Sequence, residues 1–169
     1  VSNPSNVSAL DGRNDVVWLG QGTYGQTDLG ERISIGSGTI ALTVLSLDYD
    51  FNNSTTGTIV EADAILNKDL DFFTDYDNPT SSRLFLESAM LHEIGHWLGM
   101  NHSPLGAASL WWYSAPGVSA GDGLSSDEIS FARSTYGRPE TLAADGTLRG
   151  TVRIGGSPVL GALVSAERP

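Results

Sequence analysis

The sequence predicts an α+β domain, and three observations predict it. The first third consists of β-prone segments punctuated by glycine, the stretch 82–98 has helical periodicity and holds two of the chain's three histidines, and a capping pattern opens a second helix near residue 125. Taken in order, Asp15-Val16-Val17-Trp18-Leu19 is the first strand candidate. Residues 20–38 are Gly-rich without helical periodicity, which predicts either a flexible connection or a twisted hairpin. Residues 40–47 and 59–66 alternate well enough to be strands. Pro79 with Ser81 or Ser82 as N-cap is expected to open the first helix, which runs to about Leu98. Ser125 and Glu128 form the capping box of the second, which reaches to about Tyr136.

Within and just beyond the first helix, His92-Glu93-Ile94-Gly95-His96-Trp97-Leu98-Gly99-Met100-Asn101-His102 spells H-E-x-x-H-x-x-G-x-x-H and contains every histidine of the chain. On a helix His92 and His96 lie at i and i+4, one above the other and about 6 Å apart at Cβ, so both rings can turn to one ion. Glu93 projects beside them and can reach a water there as a general base without being a ligand. Gly99 follows the last turn, where a positive φ lets the chain swing back and bring His102 in as third ligand. A lone H-E-x-x-H is compatible with two solvated histidines on an exposed helix. The added Gly99 and His102 point to a metal centre. Three neutral imidazoles with a fourth position open describe a catalytic zinc site, whereas closed structural sites use four protein ligands, often Cys, and this chain has none. Gly95 inside the helix implies close packing of helix on sheet, and Ile94, Trp97 and Leu98 are expected in the core.

These residues resemble the zinc motif of the metzincin clan of endopeptidases, and His102 followed by Ser103 is similar to its matrixin branch. Glu61-Ala62-Asp63-Ala64-Ile65-Leu66-Asn67 resembles the strand that precedes the zinc helix in bacterial matrixin-like proteins. Leu124-Ser125-Ser126-Asp127-Glu128-Ile129 with Tyr136-Gly137 resembles their C-terminal helix. The likeness spans about 11–137. It implies a twisted mixed β-sheet packed on a zinc-binding active-site helix, followed by a small C-terminal subdomain and helix. It further implies one catalytic Zn2+ on His92, His96 and His102, Glu93 as general base, protein or peptide substrates pairing along the strand at 40–47, and a secreted or cell-surface location.

The chain also departs from that pattern. Metzincins carry a Met-containing turn beneath the metal, yet Met90 and Met100 both come too early; Ser109-Leu110-Trp111-Trp112-Tyr113 stands in its place, with Leu110 or Trp111 substituting. Tyr113 then matches the tyrosine that astacins and serralysins hold near zinc, either stabilising an oxyanion or forming a wall of the cleft. No histidine remains for the second, structural zinc of vertebrate-type matrixins, and Ile65 falls about where one of its ligands would be. The acidic stretch 69–77 could offer oxygen ligands to Ca2+, but it lacks a calcium-loop spacing with its fixed glycine and reads more simply as a solvated loop. The first strand and first long helix of a matrixin have no counterpart, so the catalytic unit is expected to be either pared down or cut at its N-terminus.

Composition narrows the partners. In 169 residues, 20 acidic and 9 basic side chains give a net charge of −11, which argues against nucleic acid or an anionic membrane. No apolar run is long enough to span a bilayer, the start Val1-Ser2-Asn3-Pro4 is polar, and without Cys there is neither disulfide stapling nor a cysteine-based switch. After Gly137-Arg138-Pro139 the composition changes: 148–166 is Gly-punctuated and β-prone and resembles the opening strands of carboxypeptidase-regulatory-like β-sandwich repeats. The expected division is therefore a catalytic domain at 1–138 and, at 139–169, a linker with the start of an accessory β-sandwich. The expected function is zinc-dependent endopeptidase. The alternatives are a non-catalytic binding or adhesion module that keeps the zinc fold, and a zinc hydrolase of a non-peptide amide.

Overall fold

The structure is a computed structural model that describes residues 10–27, 31–50, 52, 55–119, 123–143, 146 and 149–159. It divides into two units, Val1–Tyr136 and Gly137–Pro169. The first is α+β: β1 (Val16–Leu19), β2 (Gly22–Gln26), β3 (Arg32–Ile35), β4 (Ala41–Leu47), β5 (Ile59–Asn67), the short β6 (Phe72–Phe73) and β7 (Leu84–Phe85), then α1 (Leu86–Trp97) and α2 (Ser126–Tyr136).

The main sheet has the order β1-β5-β4, with β1 parallel and β4 antiparallel to β5, and so is mixed. Seven consecutive residues of β5 are buried, as expected of a central strand covered on both faces. On one face Val17, Leu19, Val44 and Ile65 pack with Ile33 and Ile35. Ile33 and Ile35 belong to the β2-β3 pair, so the Gly-rich stretch is an antiparallel hairpin rather than a loose connection. Alternation sends Ala41, Thr43 and Leu45 of β4, and Ala62, Ala64 and Leu66 of β5, to the opposite face. The helix α1 packs against these two strands.

The polar residues of Glu61-Ala62-Asp63-Ala64-Ile65-Leu66-Asn67 tie neighbouring chain to β5. Glu61 Oε2 accepts from the amides of Gly12 (2.5 Å) and Arg13 (3.2 Å), and Asp63 Oδ1 from that of Asp15 (2.9 Å). Asn67 Nδ2 donates to Thr39 O (2.8 Å) and its amide to Ile40 O (3.0 Å), which sets the start of β4. Asp63 is held up at about 6, chiefly by burial, against the Asp15 amide, which lowers it.

Two expectations need correction. The first helix opens at Leu86, not at Ser81 or Ser82, and its N-cap Phe85 makes no side-chain cap. Residues 80–83 instead form a turn closed by Arg83 N–H to Thr80 O (2.9 Å), and Leu84-Phe85 pair in parallel with Phe72-Phe73. Strand pairing thus takes the residues that local capping preference would have placed in the first turn. Nor are Ile94 and Leu98 core: they are 40% and 36% exposed, and the buried positions of α1 are Ser88, Ala89, Glu93 and Gly95. Glu93, rather than Ile94, faces β4.

The capping box at α2 forms as expected, with Ser125 N–H to Glu128 Oε2 (2.5 Å) and Glu128 N–H to Ser125 Oγ (3.4 Å). In the second unit, α3 (Pro139–Leu142) precedes a hairpin of β8 (Arg153–Ile154) and β9 (Ser157–Pro158). Gly155 and Gly156, at φ +57° and +86°, make its two-residue turn. Most of the remaining β-prone tail, residues 147, 148 and 160–169, lies outside the described residues. Among the described residues no helix is long and apolar enough to cross a membrane.

Candidate metal centre

Local geometry brings the three histidines together. α1 ends in a Schellman turn: Met100 N–H reaches Gly95 O (3.1 Å), Gly99 N–H reaches His96 O (2.8 Å), and Gly99 has φ +84°. The reversed chain then carries His102 back to the helix. The rings of His92, His96 and His102 form a triangle with centroid separations of 4.7, 5.2 and 5.0 Å. One nitrogen from each lies within 4.8 Å of the others, close enough to bind one metal ion. Among the described residues this is the one such convergence of His, Cys, Asp or Glu side chains. In the stretch 69–77, Asp69 Oδ2 accepts from Gln21 N–H, at the start of the β2-β3 hairpin, and Asp75 accepts from Asp77 and Asn78 within its own loop.

The donor set fits a divalent metal. His92 Nδ1 lies 2.8 Å from Ser109 O and His96 Nδ1 2.8 Å from Met100 O. A carbonyl only accepts, so both Nδ1 atoms carry hydrogen, and in the neutral rings both Nε2 atoms present lone pairs. Those two Nε2 atoms are 3.1 Å apart. Two lone pairs so placed repel unless a cation draws on both. Burial lowers the pKa of His92 against the Ser109 hydrogen bond that raises it, and desolvation lowers His102 as well, so both are held toward the neutral, ligating form.

The floor beneath the histidines is the segment 108–111. A Cβ added at Gly95 would lie 2.7 Å from Leu110 Cδ2, so glycine there accommodates a side chain from below the helix rather than the sheet. Of the two residues expected to replace the missing methionine, Leu110 is the one fully under the helix, 2% exposed. Ser103 N–H donates to Leu110 O (3.0 Å) and Ser103 Oγ bonds Asp127 Oδ2 (3.0 Å), tying the His102 loop to floor and α2 alike. Glu128, also 2% exposed, accepts from Leu110 N–H (2.7 Å) as well as from Ser125. Glu128→Ala would leave the buried Leu110 amide and the half-buried Ser125 amide without this partner, and is expected to cost about 2–4 kcal/mol of stability in denaturant unfolding.

Glu93 is 4% exposed and faces β4, where Thr43 Oγ1 donates to its Oε2 (2.5 Å). Burial pushes this carboxyl up to about 7, against the Thr43 hydrogen bond, which lowers it. Two cavities adjoin the site. One of about 180 Å3 is lined by His92, Glu93, His102, Trp111 and Trp112; the other, of about 410 Å3, follows Ala41, Thr43 and Leu45 of β4 past all three histidines. Because Ile40 O bonds toward β5, the antiparallel alternation turns the main-chain groups of Ala41, Thr43 and Leu45 toward the edge that pairs with no other described strand.

Tyr113 is not brought to these cavities. It is 58% exposed, lies 5.8 Å from the Trp112 ring at a tilt of 59°, and lines another cavity of about 370 Å3 with Phe85 and Ser88, which shares Trp111 with the cavity at His92 and Glu93. Sequence reasoning missed Thr43, the second role of Glu128 and the two carbonyls that orient the rings. The alternation of 40–47 carried a signal for Thr43, but not the identity of the face that meets the helix. Compared with known proteins, the chain matches no protein-family model, and no curated protein is found similar to it.

Proposed function

We propose that this chain is a zinc-dependent endopeptidase, with His92, His96 and His102 holding one Zn2+ and Glu93 acting as general base. The observation that carries the reading is the pairing of three convergent imidazoles with a buried carboxylate that is not one of the ligands. Zinc, when bound there, would supply a Lewis acid that polarises a carbonyl and acidifies water. Glu93 would take a proton from a water beside it as the water oxygen adds to the acyl carbon, and would then pass that proton to the departing amine nitrogen as the C–N bond breaks. The open edge of β4 offers alternating N–H and C=O groups to an extended peptide, which favours a peptide over a small amide substrate. A module that merely binds has no use for a carboxylate buried beside the ligands, at an electrostatic cost. The resemblance to metzincins, carried by the motif and its flanking segments, supports a secreted or cell-surface location as part of this reading.

The test is a digest of a peptide library by the zinc-loaded chain, read by mass spectrometry. Cleavage of internal bonds, abolished by chelation and restored by zinc, is expected; an intact library alongside bound zinc would refute the reading. Because Tyr113 lines neither cavity at the histidines, the reading favours a wall-forming role for it over the oxyanion. Tyr113→Phe is accordingly expected to leave kcat unchanged, and a fall in kcat at constant KM would return the phenol to the reaction.

A further inference from the structure

We infer that Thr43 is a positioning residue for Glu93, holding Oε2 so that Oε1 is the oxygen that exchanges protons in the cleft. The inference rests on the endopeptidase reading and deepens it. Thr43 lies in the middle of the edge strand β4, with its side chain on the face that α1 covers. Directly across from it on β5 is Ala64, fully buried and contributing only a methyl, which leaves room for the Glu93 side chain over the strand.

Thr43 Oγ1 is 2.5 Å from Glu93 Oε2 and 3.2 Å from the main-chain oxygen of the same residue. A hydroxyl has one hydrogen and accepts as well as donates. Toward an ionised Glu93 it serves the nearer oxygen, as a short charge-assisted hydrogen bond. Once Glu93 holds a proton on Oε1, Oε2 is a neutral carbonyl oxygen and needs that hydrogen less, and the hydroxyl can turn part of its bond to the main-chain oxygen. The carboxyl plane stays put through both states. A hydroxyl rotation therefore accompanies each proton transfer, and the side chain of Glu93 need not move. Without the hydroxyl, a carboxylate that is 4% exposed loses the side-chain donor found at its oxygens, and either oxygen can turn to the cleft.

The experiment compares Thr43→Val, which keeps the β-branched shape and suits a strand, with Thr43→Ser, which keeps the hydroxyl. Both are made in the full chain and loaded with zinc. Thr43→Val is expected to lower kcat by about 10- to 100-fold, with KM and zinc per chain unchanged, and Thr43→Ser to restore most of it. Equal activity of the Val variant and the parent, or equal loss in Val and Ser, would overturn the inference, the latter by showing that packing alone is at stake. A second readout is independent of turnover: the 13C resonance of the Glu93 carboxyl, assigned through Glu93→Gln, is expected to move in Thr43→Val and to return in Thr43→Ser. An unmoved resonance would overturn the role of Thr43, whereas a parent protein that cleaves no peptide while the resonance moves as expected would count against the endopeptidase reading alone.

Discussion

Glu93→Ala is expected to reduce peptide hydrolysis by ~10²–10⁴-fold or more while zinc remains bound. The carboxylate faces Thr43 rather than joining the three nitrogens that converge, so its removal takes away the proposed proton acceptor and none of the proposed ligands. Burial already holds this group up at about 7, a folded-state value above its ordinary 4.5. The charged form is therefore the unfavourable one in the fold, and its cost is absent at low pH and grows as pH rises from about 4.5 through 7. In the chain freed of zinc, Glu93→Ala should accordingly flatten the loss of stability over that window. The check is kcat/KM measured beside zinc per chain; a variant that turns over as the parent does would remove Glu93 from the chemistry.

His102→Ala is expected to reduce zinc from stoichiometric to weak binding, and activity with it. His102 sits beyond the Schellman turn, on a loop, and is exposed rather than part of the buried face of α1. The variant should therefore fold, retaining His92 and His96 as a two-nitrogen site of much lower affinity. Competition with a chromophoric chelator measures the change. Undiminished affinity would mean that the metal is held elsewhere.

The histidine arrangement was legible in the sequence because everything that builds it is local. An i, i+4 pair shares a helix face wherever the helix forms, and Gly99 could be read as a reversal because positive φ favours glycine. The capping box at Ser125 and Glu128 was legible for the same reason. Where the local reading failed, a distant partner had intervened. The first turn expected at Ser82 gave way to pairing between Phe72-Phe73 and Leu84-Phe85. The exposure of Ile94 and Leu98 depends on which face of α1 meets β4 and β5, which hydrophobicity alone does not encode. Thr43 meets Glu93 across 50 residues of chain. Nothing near Thr43 in the sequence announces that contact.

The central claim is one zinc held by three imidazoles with a position left for water and substrate. X-ray absorption at the zinc edge of the purified, zinc-loaded chain tests it most directly. The account predicts one zinc per chain, with three nitrogen ligands and one oxygen at about 2.0–2.1 Å, the oxygen exchangeable for an added hydroxamate. A zinc closed by four protein ligands, or zinc bound without loss in His92→Ala, would contradict it.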